Sequence, residues 1–215
     1  RGIYRLTFDP ATGTMTEPLL AVETKNPSFL ALHPSGRFLY AVGEISSFEG
    51  AKTGAVSAFA VDPKTGDLTL LNQQSSEGAG PCHIAVDKTG RNALVANYGG
   101  GTVAVLPIGE DGRLKPASSV RAHEGSGPNQ GRQDKPHAHG IYLDAAERFA
   151  FSPDLGADRV FVYRFDAELF YANVSRFVDD VEAVVAGAPD PVRWLALDCA
   201  PVTDLDYSAG MSLRG

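Results

Sequence analysis

One pattern returns three times along the chain and restricts its fold more than any other feature. It reads SFLALHPSGRFLYAVGE at 28–44, HIAVDKTGRNALVANYG at 83–99 and HGIYLDAAERFAFSPDLG at 139–156. Each copy is a short apolar strand, a polar turn, an arginine and a second apolar strand. The arginines are Arg37, Arg91 and Arg148, spaced by 54 and 57 residues. A second pattern alternates with the first: IYRLTFDPATGTM at 3–15, VSAFAVDPKTGDL at 56–68 and VAVLPIGEDGRL at 103–114. The Asp-Pro-x-Thr-Gly and Glu-Asp-Gly clusters are turn chemistry between two strands. Gly13, Gly66 and Gly112 supply the permissive backbone that such turns need.

Together the two patterns make a four-stranded unit. A repeat near 50 residues that holds several strands signals a β-propeller rather than a helical solenoid. Complete units cover Ser28–Gln73 and His83–Ala122. Residues 3–24 read as the second half of an earlier unit. Strands near His139–Leu143, Phe149–Ser152 and Val160–Arg164 read as most of a later one. The expectation is two full and two partial blades. Propellers close radially, and that number cannot close a ring. The outer blades would then expose faces and edges, so self-association through blade edges is expected. The chain also opens on Arg1 inside a strand, so the natural product is expected to begin earlier.

Composition excludes several classes. With 43% hydrophobic and 21% charged residues the chain falls in the ordinary globular range. No apolar run approaches the roughly 18 residues of a membrane span, and no membrane span is expected. Residues 1–165 carry a net charge of −1 and residues 166–215 carry −6. Neither part is basic enough for phosphate-backbone binding, so no nucleic acid is expected. The shift marks a boundary, giving expected segments 1–165 and 166–215. Cys82 and Cys199 sit in unrelated contexts, which reads as two buried thiols in a reducing cytoplasm rather than a disulfide or metal framework. Gly99, Gly100 and Gly101 lack the context of a nucleotide cradle and read as a loop between strands. No cofactor is expected.

The words NPSFLALHPSGRFLYAVGE (26–44), GPCHIAVDKTGRNALVANYGGGTVAVLPI (80–108), RQDKPHAH (132–139) and PDLGADRVFVYRFD (153–166) resemble the β-propeller 6-phosphogluconolactonase, or lactonase, family. The resemblance is continuous over residues 1–166. It implies a seven-bladed propeller of roughly twice that length, hydrolysing 6-phosphoglucono-δ-lactone to 6-phosphogluconate in the pentose phosphate pathway. The expected ligand is thus a small phosphorylated sugar lactone.

Opening a lactone needs a base to activate water and donors for the tetrahedral oxyanion. A phosphorylated substrate also needs cations. The segment Arg132–His139 concentrates such groups, following the glycine-rich loop Gly125–Gly131. The resemblance implies His137 and His139 as catalytic residues. Arg132, Lys135, His83, Glu44 and Asn97 are the candidate substrate-binding residues. His-x-His at a strand start puts both rings on one face. A metal pair and a purely structural role stay open beside the site reading, although no third metal ligand presents itself. Arg37, Arg91 and Arg148 recur in every unit and read as structural. The family also carries later Gly-Pro-Arg-His and Asn-Glu words that this sequence lacks. Little or no lactonase activity is therefore expected of this chain.

After Asp166 the blade pattern stops. Glu168–Ala172 reads as a strand, Ser175–Gly187 as a helix and Arg193–Cys199 as a strand, a β-α-β unit. Residues 164–214 resemble part of the STAS domain of SulP-type anion transporters and anti-sigma-factor antagonists, most specifically at Asp204–Ala209. The resemblance implies a protein partner for this tail. Ser208 stands where antagonist members are phosphorylated, and a helix cap is the alternative reading. The two resemblances meet at Tyr163–Asp166. The expected fold is therefore mainly β, an incomplete propeller followed by a short α/β segment, and the second functional reading is a non-catalytic binding or interaction module, or a chimeric fragment with a STAS-like regulatory or docking tail.

Overall fold

A computed structural model describes residues 2–164 and the strand Leu195–Asp198. Among the described residues there are sixteen strands and no helix. The chain divides into two compact units, one of Arg1–Tyr142 with Ser152–Asp158 and one of Leu143–Phe151 with Arg159–Gly215.

The first unit opens with a small piece of sheet. Strand β1 (Gly2–Arg5) pairs antiparallel with β4 (Leu19–Glu23), and β2 (Phe8–Asp9) pairs with β3 (Thr14–Met15) as a hairpin between them. Two four-stranded meanders follow. In the first, β5 (Pro27–Leu32), β6 (Phe38–Gly43), β7 (Ala55–Val61) and β8 (Leu68–Ser75) lie in chain order, each antiparallel to the next. In the second, β9 (Pro81–Val86), β10 (Asn92–Asn97), β11 (Thr102–Pro107) and β12 (Ser119–Ala122) repeat the arrangement. These are the two complete blades that the sequence repeat predicts.

Alternation along the middle strands explains why both faces of the first blade are apolar. Phe38, Tyr40 and Val42 of β6 point one way and join Val56, Ala58, Ile84, Ala93, Val95, Ala104 and Leu106 in the core between the blades. Ala41 of β6 and Phe59 of β7 point the other way and pack with Ile3 of β1. A fully buried side chain of this size contributes roughly 1.5–3 kcal/mol, so each inner strand is held from both sides. Tyr40 adds a polar tie across the blades, its hydroxyl donating to the Gly112 carbonyl at 3.0 Å.

The repeated arginine marks a shared turn. In the second blade the Asp87 carboxylate accepts from the Arg91 amide, the Asn92 side chain and the Thr89 hydroxyl at 2.8, 2.7 and 3.0 Å. In the first blade His33 opens the turn instead. Its Nδ1 accepts from the Ser35 amide, which leaves Nε2–H to donate to the Gly90 carbonyl at 3.0 Å. The left-handed position of the turn is Gly36 in the first blade and Gly90 in the second, each with φ of 70°. Arg37 lies over the ring of its neighbour Phe38, 5.1 Å from the centroid.

In the second unit the same turn recurs. Asp144 accepts from the Ala146 and Phe149 amides at 3.2 and 2.8 Å, and Arg148 lies over the Phe149 ring. Here Glu147 holds the left-handed position, with φ of 55°. The third sheet runs β13 (Tyr142–Leu143), β14 (Phe149–Asp154), β15 (Arg159–Arg164), β16 (Leu195–Asp198). Strand β13 is shorter than the expected His139–Leu143. The Gly140 carbonyl is instead taken by the Ser152 hydroxyl at 2.8 Å, and the His139 amide donates to the Pro153 carbonyl at 2.9 Å. Strand β16 lies within the expected strand Arg193–Cys199 and runs parallel to β15, unlike the antiparallel fourth strands of the two complete blades. The expected strand Glu168–Ala172, helix Ser175–Gly187 and Ser208 lie outside the described residues, and with them the α/β reading of the tail. No helix among the described residues is long and apolar enough to cross a membrane.

Candidate functional site

The segment Arg132–His139 is built from its ends inward. Gln133 is buried, with its side-chain amide donating to the Leu155 carbonyl at 3.0 Å and its side-chain oxygen accepting from the Asn129 amide at 3.0 Å. From there the chain runs alongside Pro153–Leu155. The Leu155 amide donates to the His137 carbonyl, and Ala138 forms a bridge with Asp154. Asp154 is the centre of this arrangement. Its Oδ1 accepts from the His137 amide at 2.7 Å and from the Ala157 amide at 2.8 Å, while Oδ2 lies 2.6 Å from His123 Nδ1. The Asp154 and His123 side chains are both fully buried. Burial works to raise the Asp154 carboxyl. The hydrogen bonds from His123, Ala157 and His137, with the charge on His123, outweigh it and hold the carboxyl below its ordinary value.

The His137 ring is fixed separately from its backbone. Its Nδ1 lies 2.9 Å from the Tyr98 carbonyl, and its plane stacks on the Tyr98 ring with centroids 4.4 Å apart. A carbonyl can only accept, so Nδ1 carries the proton, and in the neutral ring the lone pair sits on Nε2. Asp134 Oδ1 lies 3.8 Å from that Nε2. His139 is exposed and meets the edge of the same Tyr98 ring at 5.4 Å. Lys135 is exposed, with its ammonium 3.4 Å from the Gly99 carbonyl. Arg132 is also exposed, on the turn closed by its amide to the Asn129 carbonyl. The Gly99–Gly101 run is the β10–β11 connection, as its lack of nucleotide context suggests.

The remaining candidates are placed differently. His83 is 7% exposed and lies between the rings of Phe29 and Tyr142, at 4.2 and 4.6 Å. Its Nδ1 accepts from the Ile141 amide, and burial, then the neighbouring His139, hold its pKa below the usual value. Gly140 allows this row of rings, because a Cβ there would strike the Tyr142 ring. Asn97 is fully buried, its amide donating to the Ser76 carbonyl at 2.7 Å and to Thr102 Oγ1 at 3.0 Å. Glu44 is half-buried, its backbone paired with Asn26. Its carboxylate acts electrostatically on Cys82, whose thiol is pushed up to about 11, by burial first and by Glu44 second. The Cys82 thiol donates to the Ala138 carbonyl at 3.5 Å, directly behind the His-x-His segment.

The structure therefore brings His137, His139, Lys135 and Tyr98 together at one surface, with His83 and Cys82 behind them. Sequence reasoning did not find Asp154, His123, Tyr98 or Asp134. Asp134, Tyr98 and Asp154 lie within the words at 132–139, 80–108 and 153–166, and His123 alone of the four lies in none. A separate cleft of about 1040 Å³ is lined by Gly2, Tyr4, Glu23, Thr24, Lys25, Asn26, Pro27 and Ile45 and holds none of these histidines. Among the described residues no three His, Cys, Asp or Glu side chains are grouped to hold a metal ion.

Comparison with known proteins sets this geometry in a family. The family model "Lactonase, 7-bladed beta-propeller" matches residues 1–180. The chain belongs to this lactonase family. A STAS domain model matches residues 155–213, overlapping the lactonase match. The chain is 36% identical over 163 residues to the 6-phosphogluconolactonase of Bacillus subtilis, covering 76% of this chain and 45% of the relative. It is 32% identical to the 6-phosphogluconolactonase of Formosa agariphila, covering 74% and 43%. Among solved structures, the periplasmic gluconolactonase of Pseudomonas aeruginosa matches with a TM-score of 0.67 at 36% identity, covering 76% and 46%. The chain thus spans less than half the length of these relatives.

Proposed function

We propose that the His137 surface belongs to a hydrolase that opens a sugar lactone, of which 6-phosphoglucono-δ-lactone is the expected member. The observation that carries this reading is the fixed His137 ring, whose Nδ1 faces the Tyr98 carbonyl and whose Nε2 is left as the basic atom. In the proposed reaction water adds to the lactone carbonyl and gives its proton to His137 Nε2. The ring C–O bond then breaks, and the same proton passes to the departing ring oxygen. The products are a carboxylic acid and a free hydroxyl. Asp134 stabilises the imidazolium that forms between the two steps. Lys135, Arg132 and His139 supply positive charge and donors for the oxyanion and for a phosphate. His83 and Asn97, being buried, support the site from behind, and Glu44 borders it through Cys82. The relatives' names support this class of substrate.

The reading extends to place and strength of action. A cytoplasmic setting suits a phosphorylated sugar, although the Pseudomonas relative is named as periplasmic. We assign weak or no activity to this chain alone, because it lacks the later Gly-Pro-Arg-His and Asn-Glu words of the family. The test has two parts. Binding of 6-phosphogluconate, the stable product, is expected and is lost in His137→Ala; no binding at millimolar concentration overturns the site assignment. Hydrolysis of the lactone is then compared with spontaneous opening, a His139→Ala control and the Bacillus subtilis relative. A rate equal to the relative's overturns the weak-activity assignment.

A second reading rests on the STAS match at 155–213. On that reading residues 166–215 form a separate segment that docks a protein partner, with Ser208 as a phosphorylation site, and residues 1–165 are a binding scaffold. Mass spectrometry of the chain isolated from cells tests it. Phosphate on Ser208 supports the reading, and an unmodified serine throughout removes that part of it.

A further inference from the structure

The buried His123–Asp154 pair is far from ordinary for a surface site. A buried carboxylate is costly to desolvate and survives only where hydrogen bonds satisfy it. Here the further bonds do not go to generic structure. One oxygen of Asp154 takes the His137 amide at 2.7 Å and the Ala157 amide at 2.8 Å, and the other takes His123 at 2.6 Å. His123 is itself anchored at the end of β12, its amide donating to the Gly101 carbonyl at 2.8 Å. The chain between is a short ladder, with the His139 amide on the Pro153 carbonyl and the Leu155 amide on the His137 carbonyl. The His137 amide is therefore held by one carboxylate, and its ring Nδ1 by one carbonyl, that of Tyr98.

From this geometry we infer that Asp154 and His123 are positioning residues of the His137 site: they hold the segment so that Tyr98 selects the Nδ1–H form of His137 and Nε2 faces the ligand. Neither touches a ligand, since both side chains are buried. Their action runs through the His137 amide. Without the carboxylate the segment slips, the Tyr98 carbonyl loses the Nδ1 proton, and the ring relaxes toward the Nε2–H form that free imidazole side chains prefer. The base is then blocked although every site residue is still present. The inference rests on the lactone-opening reading for the identity of the ligand, but not for the state of the ring.

Two variants of the full chain test it, each read in two ways. Asp154→Asn keeps the shape and an accepting oxygen but removes the charge. His123→Gln keeps an N–H donor for the carboxylate. The tautomer of His137 is read from its ring ¹⁵N shifts, and affinity is read with 6-phosphogluconate. In Asp154→Asn the Nδ1–H signal of His137 is expected to give way to Nε2–H, with binding weakened roughly tenfold or more, the scale of a lost hydrogen bond to a charged group. In His123→Gln both effects are expected in the same direction and smaller. A folded Asp154→Asn with unchanged tautomer and unchanged affinity overturns the inference. If Asp154→Asn does not fold, His123→Gln decides on the same two readings. If the unaltered chain does not bind 6-phosphogluconate while the tautomer still shifts in the variants, the positioning role stands and the lactone reading falls.

Discussion

Gly156 lies so close to Lys135 that a single carbon added to it would run into the Lys135 carbonyl and approach the His137 ring. The glycine is therefore a spacing requirement, set by the passage of the site segment over the end of β14. Gly156→Ala is expected to push that segment outward and cost about 1–3 kcal/mol, the range for overpacking a tight site. A thermal melt measures the loss. His137 is expected to lose its stacking on Tyr98, visible as a change in its ring proton shifts. An unchanged melt and unchanged shifts would show that the segment yields without cost.

The Cys82 thiol sits behind the same segment and is pushed up to about 11. A raised folded-state value means that the thiol's contribution to stability is complete below the unfolded value and is lost as pH rises through the folded one. Alkylation by iodoacetamide at pH 8 is therefore expected to be much slower at Cys82 than at an exposed model thiol, and to accelerate toward pH 11. Peptide mass spectrometry follows this residue alone. Glu44→Gln, which removes the second cause of the shift, is expected to bring the acceleration to lower pH.

Tyr40 is fully buried, and its hydroxyl is held by the Gly112 carbonyl. Burial, then the charge of Asp111, pushes it up to about 12. Ultraviolet titration should show a tyrosine step above the ordinary value of 10. Tyr40→Phe should remove that late step and destabilise the fold by about 1 kcal/mol, the scale of one hydrogen bond.

Asp154 gives the fold an acid limb. Its folded carboxyl lies below the ordinary value of 3.8. Its contribution is therefore present above the unfolded value and is lost as pH falls through the folded one. Stability of the unaltered chain should drop as pH falls below about 4. Asp154→Asn should be less stable at neutral pH and show a flatter dependence across the same window. Equal slopes for the two proteins would mean that the carboxylate is not held by the bonds described.

The blades were legible because their physical causes are local. An apolar run of alternating faces, a turn-opening residue and Arg37 or Arg91 recur within a few positions, and the resulting meanders match the expected spans. The His-x-His segment was legible for the same reason, as a cluster of charge after a glycine-rich loop. Its support was not. His123 and Asp154 are 31 positions apart; Asp154 falls inside the word at 153–166 and His123 in no motif, and only the return of β14 beside Ala138 joins them. Burial of Asn97 was equally hidden. A candidate by its place at a strand end, it is buried there, with its amide tied to the Ser76 carbonyl and Thr102 Oγ1. Strand β13 is short where its neighbour β14 carries Pro153, which has no N–H to give, and the Ser152 hydroxyl takes the Gly140 carbonyl in its place, a substitution that periodicity does not register.

The turn at Glu147 carries a lesson about descent. The first two blades bend at Gly36 and Gly90, while the third bends at Glu147 with nearly the same dihedral angle. Its shape is kept by the Asp144 carboxylate gathering the amides that follow. A blade can therefore lose its glycine and retain its bend. The opening group also changes, from His33 in the first copy to Asp87 and Asp144 in the others, so what persists through all three is the acceptor that gathers the following amides, not any one residue type.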